Sequence, residues 1–445
     1  MPRYTSYPPA NYFDESFTAA KYYQAIEESN LWQPENISFY FHIPFCKKMC
    51  YFCGCNSYAL RKERSVHAYM EALKTELKRV IGMLDKNRKV AQIHYGGGTP
   101  NAVDEHYLQE VNEIILNNFE MIDDPEIAIE CNPAYLDEKQ IEGLKKAGFN
   151  RFSLGIQDFD KQVLDAVNRE EPFMELGRIM ELLRYDRPDI KINLDFIYGL
   201  PKQTAEGFAY TMARAAALRP DRLVTFSYAH VPWVSKIQKK LEVHGLPAQD
   251  EKIRMNQLAS EVMQKNGYVA IGMDHYATPD DELYLASQNH QLHRNFQGYC
   301  TLRTTGQVYA FGVTGISQLE QIYAQNTKSI DEYIKLINEG KFTTIKGYRL
   351  TNDQVIVREA ITGLMCNQRI VWNDLAARLN IDIEQIKQAL ANRPGEMEEL
   401  EKDGIVEYNR DMLKVTPQGA MFLRNVAAAL DPLTGTAGKN FSKPV

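Results

Sequence analysis

Short apolar runs alternate with longer amphipathic stretches, and this alternation constrains the fold more than any other feature of the sequence. The runs predict strands at Ile37–Ile43, Ala91–Tyr95, Glu126–Glu130, Arg151–Gln157, Lys191–Tyr198 and Leu223–Ala229. The amphipathic stretches predict helices at Val66–Leu84, Glu105–Phe119, Asp137–Ala147, Phe173–Leu183 and Thr204–Leu218. Such alternation predicts an α/β fold with a parallel sheet of βαβ units. Six units are too few for a closed eight-unit barrel, so an open, partial barrel and a doubly wound sheet both fit.

The flanking segments divide the chain into three predicted parts. Residues 1–35 carry many aromatic residues and prolines and a predicted helix at Ala19–Glu28, which indicates an arm lying on the main domain. Residues 36–345 would form the main domain with its extension, and residues 346–445 a mainly helical domain. The last part has predicted helices at Asp353–Met365, Trp372–Leu379, Ile383–Leu390 and Gly419–Leu430, with a hairpin at Gly404–Tyr408 and Met412–Val415. This order is winged-helix-like, but without a dense basic face we expect packing or a lid role rather than DNA binding.

Charge and cysteine usage exclude several classes of protein. The net charge of −7 argues against a broad nucleic-acid surface. No apolar run approaches the roughly 20 residues that span a bilayer, and the first residues contain no apolar core of a signal peptide. Seven cysteines in 445 residues are too sparse and odd in number for a disulfide framework. We therefore expect a cytoplasmic protein with reduced thiols and no membrane span.

Four cysteines, Cys46, Cys50, Cys53 and Cys55, fall within ten residues. The first three have the spacing C-x3-C-x2-C, and three thiolates can hold three irons of a cubane cluster. The fourth iron would then be open to a small molecule, which favours a catalytic cluster over an electron carrier with four ligands. A zinc site completed by Cys55 and thiols without a metal are the alternatives. The next cysteine is Cys131, so the second knuckle typical of zinc sites is missing.

The segment Gly96–Pro100 follows the second predicted strand as Gly-Gly-Gly-Thr-Pro. Glycine lets a backbone approach a ligand closely, so this turn could offer N–H and C=O groups to a compact zwitterion such as an amino acid moiety. A tight turn between strand and helix is the structural alternative. A phosphate loop is disfavoured, because the Lys-Ser/Thr pair of such loops is absent.

Polar and aromatic side chains near the predicted strands are further candidates. Glu130 and Asp195 are carboxylates on apolar strands and could bind an ammonium group or ribose hydroxyls, whereas structural ion pairs are the alternative. Arg169 could bind a carboxylate with two hydrogen bonds. The remaining candidates are Tyr40 for ligand stacking and, as proton donors, His275 and His293.

These motifs resemble those of the radical S-adenosylmethionine (radical SAM) superfamily and, within it, the family of oxygen-independent coproporphyrinogen III oxidases. The cysteine spacing alone indicates only the superfamily. Cys55, the arm Arg3–Pro8 and the loop His293–Tyr299 indicate the family. Further matching stretches are His42–Asn56, Gly96–Pro100, Gly155–Phe159, Val167–Glu170, Ile197–Thr204, Tyr228–His230 and Gly272–His275. The resemblance covers nearly the whole chain and implies a partial (β/α)6, TIM-like barrel of the radical SAM type.

The resemblance also implies an activity. Cys46, Cys50 and Cys53 would hold a [4Fe–4S] cluster, and SAM would chelate its open iron. The reduced cluster would cleave SAM to a 5′-deoxyadenosyl radical that takes a hydrogen from a propionate. Two propionates of coproporphyrinogen III would thus lose CO2 and become vinyl groups, giving protoporphyrinogen IX in anaerobic haem biosynthesis.

Site residues follow from the same resemblance, position by position. Two SAM molecules are implied. The first would contact Tyr40, Gly97, Glu130 and Ile316. The second would contact Phe52, Gly98, Thr99, Gln157, Arg169, Asp195 and Ala229. Cys55 would be an accessory residue rather than a ligand, and no catalytic residue is assigned. Candidates for the substrate carboxylates are Arg3, Lys202 and Arg294, and we expect a monomer reduced by a flavodoxin- or ferredoxin-type protein.

Three departures from the family pattern stand out. The N-terminal arm is short, which argues against a role of the arm in gating the substrate. Tyr95 stands where a Trp is familiar, and Glu130-Cys131-Asn132-Pro133 replaces a Glu-x-Asp-Pro pattern; both leave the chemistry intact. The alternative functions are those of haem-binding relatives, either a haem chaperone or a haem-modifying methyltransferase. Such relatives typically lack the fourth cysteine and the Arg-Tyr-Thr-Ser-Tyr-Pro arm.

Overall fold

One large sheet forms the centre of the molecule, and its strands carry several of the predicted site residues. The computed structural model describes residues 4–60, 63–390 and 395–434. The strands of this part of the chain are β1 (Ile37–Ile43), β2 (Phe45–Cys46), β3 (Tyr58–Ala59), β4 (Val90–Gly97), β5 (Met121–Cys131), β6 (Arg151–Gln157), β7 (Lys191–Tyr198), β8 (Arg222–Ser227), β9 (Val269–Ile271), β10 (His275–Ala277), β11 (Leu292–Arg294), β12 (Tyr299–Thr301), β13 (Gln307–Phe311), β14 (Ile316–Gln318), β15 (Ile322–Asn326), β16 (Thr344–Arg349), β17 (Arg369–Val371), β18 (Val406–Tyr408) and β19 (Met412–Val415).

Helices connect these strands and build the C-terminal part. They are α1 (Ala19–Glu28), α2 (Glu63–Ile81), α3 (Glu105–Leu116), α4 (Glu138–Lys146), α5 (Lys161–Ala166), α6 (Leu176–Arg184), α7 (Ala205–Ala217), α8 (Gln249–Lys265), α9 (Glu282–Gln288), α10 (Ile330–Asn338), α11 (Asn352–Asn367), α12 (Trp372–Leu379), α13 (Ile383–Ala389), α14 (Glu396–Lys402) and α15 (Leu423–Leu430). Short 3-10 helices lie at Ala10–Tyr12, Ser29–Leu31, Pro100–Ala102, Pro133–Tyr135, Lys236–His244 and Ala420–Phe422. In the described residues, no helix combines the length and the apolar character needed to cross a bilayer.

The main sheet has the strand order β16-β15-β14-β13-β1-β4-β5-β6-β7-β8-β10-β9. The strands from β13 to β8 in this order are parallel, and the strands at both edges pair antiparallel. The predicted α/β fold with a parallel sheet is confirmed. The sheet extends further than predicted, because β13 adds a parallel strand and β9, β10 and β14–β16 form the edges. These added strands have only three to six residues, and such short segments are defined by pairing with a neighbour more than by their own pattern.

Two apolar cores hold the parts together. The larger core lies between the main sheet and its helices and includes Tyr22 and Ile26 of α1. The smaller core unites the C-terminal helices with Tyr4, Tyr7 and Phe13 of the N-terminal arm. The N-terminal arm therefore lies on both parts of the molecule, beyond the predicted contact with the main domain alone.

The C-terminal part is mainly helical, as predicted. Along the described residues of this part, α11 is followed by β17, then by α12, α13 and α14, and then by β18 and β19, and the three strands form a sheet with the order β17-β19-β18. A capping box at Thr351 starts α11, since its hydroxyl accepts from Gln354 N and the Gln354 side chain accepts from the N-cap backbone. The helices and the small sheet together give the predicted winged-helix-like arrangement.

Candidate functional site

A cavity of about 460 Å³ lies against one face of the parallel strands. Its wall includes side chains of the neighbouring strands β4 to β8, the cysteine loop, β10 and the loop that follows β11. In parallel α/β sheets of this kind, ligands bind at the carboxyl ends of the strands. A single cavity shared by five adjacent strands and the cysteine loop fits the predicted partial barrel.

The cysteine loop is fixed at its base and at its tip. At the base, Tyr58 N donates to Pro44 O at 2.7 Å and Leu60 N donates to Cys46 O at 2.8 Å. At the tip, Tyr51 N donates to Val167 O at 2.9 Å. Cys46, Cys50 and Cys53 all line the cavity. The loop therefore presents three thiols to one space, as the spacing predicts.

Each of the three thiols accepts a hydrogen bond. Thr99 Oγ1 donates to Cys46 Sγ at 3.3 Å, Arg169 Nη1 to Cys50 Sγ at 3.6 Å, and the backbone N–H of Cys55 to Cys53 Sγ at 3.4 Å. Hydrogen bonds from Cys55 lower the pKa of Cys53 to about 6, whereas burial raises the pKa of Cys46 to about 11. Such donors favour thiolates, the form of cysteine that binds iron. Cys55 is exposed, and its backbone supports Cys53.

The arrangement of the thiols is compatible with a cluster that takes one thiolate for each of three irons. The three loop thiols share one cavity, and each would bind a different iron of a cubane. In the part of the chain that the structure describes, no group of three His, Cys, Asp or Glu side chains is placed to hold a single metal ion.

The triglycine is required by close packing on three sides. A Cβ at Gly96 would lie 2.7 Å from Glu130 Oε1, and one at Gly98 would lie 2.8 Å from the carbonyl of Pro44. Gly97 has φ +115°, and its Cβ would lie 2.8 Å from the ring of His42. Gly98 N also donates to Ile43 O at 2.9 Å. The turn thus lies against both the cysteine loop and Glu130. The same glycines that this packing requires also let the backbone approach a ligand closely.

The two predicted carboxylates lack a lysine or arginine partner within 4 Å among the described residues. Glu130 Oε1 lies 3.2 Å from His94 Nε2. Asp195 accepts from Ser153 Oγ at 2.7 Å and from Asn193 Nδ2 at 2.8 Å. Burial, with a smaller contribution from the charge of Glu130, raises the pKa of Asp195 to about 6. Structural ion pairs with Lys or Arg therefore do not account for these carboxylates, and a cationic ligand would.

Arg169 and Gln157 bring further polar groups to the cavity wall. Arg169 Nη2 donates to Gly155 O, and its Nε is buried without a hydrogen-bond partner in the described residues. Gln157 has φ +73°, a left-handed conformation that is uncommon outside glycine. The remaining predicted SAM contacts on the wall are Phe52, Gly97, Gly98 and Thr99.

Other predicted residues do not line this cavity as the described residues form it. Tyr40 lies behind the wall, with its ring stacked on His94 at 5.9 Å between centroids. Ile316 packs against the C-terminal core, Ala229 is half-buried and Lys202 is exposed. Their assignments stay predictions, and Arg3 lies outside the described residues.

The candidate histidines differ in their surroundings. His275 lines the cavity, and its Nδ1 lies 2.8 Å from Asp274 Oδ1. His293 is not among the cavity-lining residues that the structure describes, and burial lowers its pKa to about 4. A histidine that is neutral near pH 7 is a poor proton donor, so only His275 keeps that role as a candidate.

A polar network at the amino ends of the strands was not predicted from the sequence. Arg151 Nε lies 2.5 Å from Glu126 Oε2, and Gln92 Nε2 donates to Glu126 Oε1 at 2.7 Å. Arg222 lies 3.0 Å from Glu282 Oε1 and 2.9 Å from Asp281. Gln92 shares a face of β4 with His94, which was not predicted either, and Glu126 shares a face of β5 with the predicted Glu130. Polar residues two or four apart on apolar strands were the feature that could have revealed them.

Comparisons with known proteins agree with this geometry. Residues 40–215 match the family model of the Radical SAM superfamily, and residues 350–422 match the HemN C-terminal domain. The chain is 39% identical over 432 residues to the oxygen-independent coproporphyrinogen III oxidase of Synechocystis, covering 97% of this chain and 92% of that protein. The oxidase of the same name from Escherichia coli is 37% identical over 433 residues, with the same coverage. The solved structure of coproporphyrinogen III oxidase (HemN) from Escherichia coli, described as a Radical SAM enzyme, has 36% identity, a TM-score of 0.88 and 97% coverage of both chains.

Proposed function

Because the chain belongs to the oxygen-independent coproporphyrinogen III oxidase family, we propose that it oxidatively decarboxylates two propionates of coproporphyrinogen III. The product is protoporphyrinogen IX, with a vinyl group at each decarboxylated position. The enzyme is an oxidoreductase of porphyrin and haem biosynthesis. The observation that carries this proposal is the set of three free thiols in one cavity of a chain related to these oxidases over nearly its full length.

A [4Fe–4S] cluster and SAM follow from membership of the superfamily. Cys46, Cys50 and Cys53 would hold the cluster. When bound, the cluster and SAM supply a carbon radical that removes hydrogen from the substrate. Thr99 and Arg169 hold the thiol side of the site through their hydrogen bonds to Cys46 and Cys50.

Two SAM molecules per site are part of the proposal. Glu130 offers a carboxylate, paired only with His94 in the described residues, to the amino group of the first molecule. Asp195 offers a carboxylate to the ribose or ammonium group of the second. Arg169 Nε, which is buried and lacks a partner among the described atoms, suits a SAM carboxylate. Anaerobic equilibrium dialysis with labelled SAM would give the number bound per cluster.

Arg294 and Asn295 form our proposed subsite for a substrate carboxylate. Both residues line the cavity, and Arg294 has no carboxylate within 4 Å among the described residues. Its Nη1 donates to Thr5 O, and its Nε is buried without a partner there. A half-buried guanidinium whose buried Nε lacks a partner is costly, which favours an anionic ligand at this place.

Asn295 supports the same subsite. Its Oδ1 accepts from Gln297 N at 2.9 Å and from Gly298 N at 3.2 Å. These two donors fix the orientation of the amide, because its oxygen must face them. The Nδ2 atom of this buried residue is then left with no acceptor among the described atoms. A propionate carboxylate would accept from both Arg294 and Asn295.

Several finer assignments belong to the proposal. We place the enzyme in the cytoplasm, which is supported by seven cysteines that are all free. We keep a monomer and a flavodoxin- or ferredoxin-type donor as expectations, and size-exclusion chromatography with light scattering under anaerobic conditions would test the first. We also keep the division into residues 1–35, 36–345 and 346–445. The haem-binding alternatives are not favoured, since the relatives carry the name of the oxidase.

Anaerobic incubation with coproporphyrinogen III, SAM and dithionite tests the function. We expect a product that has lost two CO2 and four hydrogen atoms, detected by mass spectrometry. The Cys50→Ala variant serves as the control and should give no product. Stable stoichiometric haem binding without a vinyl product would refute the proposal.

A further inference from the structure

A mixed apolar and basic surface covers the outside of the cysteine loop. It is formed by Trp233, Val234, Lys236 and Lys240, and we name these four residues the loop-cover surface. Trp233 is 61% exposed and Val234 is 67% exposed, and the two lysines are exposed as well. Adjacent large apolar side chains with this exposure are typical of sites that contact another molecule.

The segment that carries this surface is fixed directly to the ligand residues. Ser235 Oγ donates to Cys53 O at 2.8 Å, and Gln238 Nε2 donates to Phe52 O at 2.8 Å. Gln238 Oε1 accepts from Val231 N at 2.6 Å. The buried side chain of Gln238 thus joins the start of the segment, at Val231, to its end. Trp233 and Val234 thus stand within two residues of a hydrogen bond to a proposed cluster ligand.

The lysines of the loop-cover surface are not neutralised by the protein. Neither Lys236 nor Lys240 has a carboxylate within 4 Å among the described residues, and Lys240 Nζ lies 4.6 Å from the centre of the Tyr51 ring. The nearby acid Glu242 pairs with His230 at 3.0 Å. Because the whole chain carries a net charge of −7, this is a local cationic surface on an acidic protein, which selects acidic partners.

We propose that the loop-cover surface docks an acidic one-electron donor protein of the flavodoxin or ferredoxin class. The inference rests on the proposed function, which needs an electron from outside the chain. The reduced centre of the donor loses one electron and the cluster gains it, and no bond forms or breaks. Two exposed apolar side chains next to lysines without a carboxylate partner match the apolar core and polar rim of a protein interface. Its attachment to the backbone of Phe52 and Cys53 brings the donor next to the proposed ligands.

The test compares a protein donor with a chemical reductant, using the cluster-loaded enzyme. The variants are Trp233→Ala and the double variant Lys236→Glu/Lys240→Glu. Tyr185→Ala and Lys265→Glu are the matched controls, because Tyr185 is 85% exposed and Lys265 is an exposed lysine at the end of α8, before the strand β9. Two readouts are used without coproporphyrinogen: the affinity for a purified flavodoxin and a purified ferredoxin by calorimetry, and the rate at which each reduced donor is oxidised.

We expect both loop-cover variants to weaken donor binding and to slow donor oxidation by at least about tenfold at low salt, with a smaller effect at high salt. SAM cleavage driven by dithionite should stay within about twofold of the unaltered enzyme, since dithionite needs no docking site. The control variants should behave like the unaltered enzyme in every assay.

Three outcomes would overturn the proposal. The first is unchanged donor binding in both variants, and the second is failure of both donors to reduce the unaltered enzyme. The third is a higher KM for coproporphyrinogen with normal donor oxidation, which would make the surface an entry site for the anionic substrate. Failure of the proposed function itself appears separately, as the absence of protoporphyrinogen IX when dithionite is the reductant.

Discussion

Nε2 of His94 lies 3.2 Å from Oε1 of Glu130, and Gly96 of the same strand lies so close that a Cβ there would come within 2.7 Å of the same oxygen. The ring of Tyr40 stacks on His94 and its hydroxyl lies 3.2 Å from His42 Nδ1. The strand β4 thus positions Oε1 of Glu130 through two of its residues. Tyr40, which stands outside the cavity wall, can affect Glu130 through His94.

Replacing Gly96 by alanine should displace Glu130 without disturbing the thiols. The added Cβ would lie 2.7 Å from Oε1 of Glu130, closer than the two atoms can approach, so the carboxylate must move. We expect the affinity for SAM to fall by at least about tenfold, while the visible absorption of the reconstituted cluster is retained. Gly54→Ala is the control, because a Cβ there meets nothing within 4 Å. Equal SAM affinity in the two variants would contradict the role given to Glu130.

Replacing the cysteines one at a time should distinguish the proposed cluster ligands from the cysteines that do not bind the cluster. Cys50→Ala should abolish both the brown colour of the reconstituted cluster and the cleavage of SAM, because three thiolates are needed. Cys55→Ala should keep the colour, since Cys55 supports Cys53 through its backbone N–H, which alanine retains. Cys366→Ala, at a buried cysteine away from the loop, controls for general loss of stability. A colourless Cys55 variant would make that residue a ligand.

Asp195→Asn should stabilise the fold near neutral pH. Burial raises the pKa of Asp195 to about 6, so its protonated form is favoured in the folded state. Its contribution to stability is complete below the ordinary carboxyl pKa of about 4 and is lost as the pH rises through 6. We expect the variant to gain about 2 kcal/mol at about pH 7.5 and about half of that at about pH 5. Urea unfolding without SAM measures both values, and a gain that is larger at the lower pH would refute the assignment.

Glu126→Gln should have the opposite effect. Burial alone would raise the pKa of Glu126, but the charges of Arg151 and Arg222 lower it to about 2. The ionised Glu126 therefore stabilises the folded state above about pH 4.5, and this stabilisation is lost only as the pH falls towards 2. We expect a loss of about 3 kcal/mol at neutral pH, because Arg151 loses a buried partner. Glu138→Gln, which breaks an exposed pair with Arg178 at 3.5 Å, should cost less than about 1 kcal/mol in the same unfolding assay.

Arg294→Lys should weaken substrate binding selectively. Lysine keeps the charge but lacks the planar group that binds a carboxylate at two points. We expect the KM for coproporphyrinogen III to rise by about tenfold, with kcat and SAM affinity changed much less. Steady-state kinetics with dithionite measure these quantities. Arg178→Lys, at an exposed position outside the cavity wall, is the control. An unchanged KM in the Arg294→Lys variant would exclude Arg294 from the substrate site.

Much of the fold was predictable because it rests on local patterns. The strands Ile37–Ile43, Arg151–Gln157 and Lys191–Tyr198 and the helices Ala19–Glu28 and Trp372–Leu379 have the predicted bounds, since apolar periodicity alone defines such elements. The three thiols also follow from spacing within one short loop. By contrast, β9, β10 and β14–β16 are short edge strands whose residues become strands only through pairing.

The alternation of strands and helices and the grouping of three thiols in one loop are set by the order of residues alone, because both are relations between near neighbours in the chain. Folding of the chain sets what those residues contact. It paired Glu130 with His94, left Arg294 without a carboxylate among the described residues, and set Ser235 against Cys53 across 182 positions of sequence. Such contacts arise from the packing of distant strands, and no local pattern contains the distances that define them.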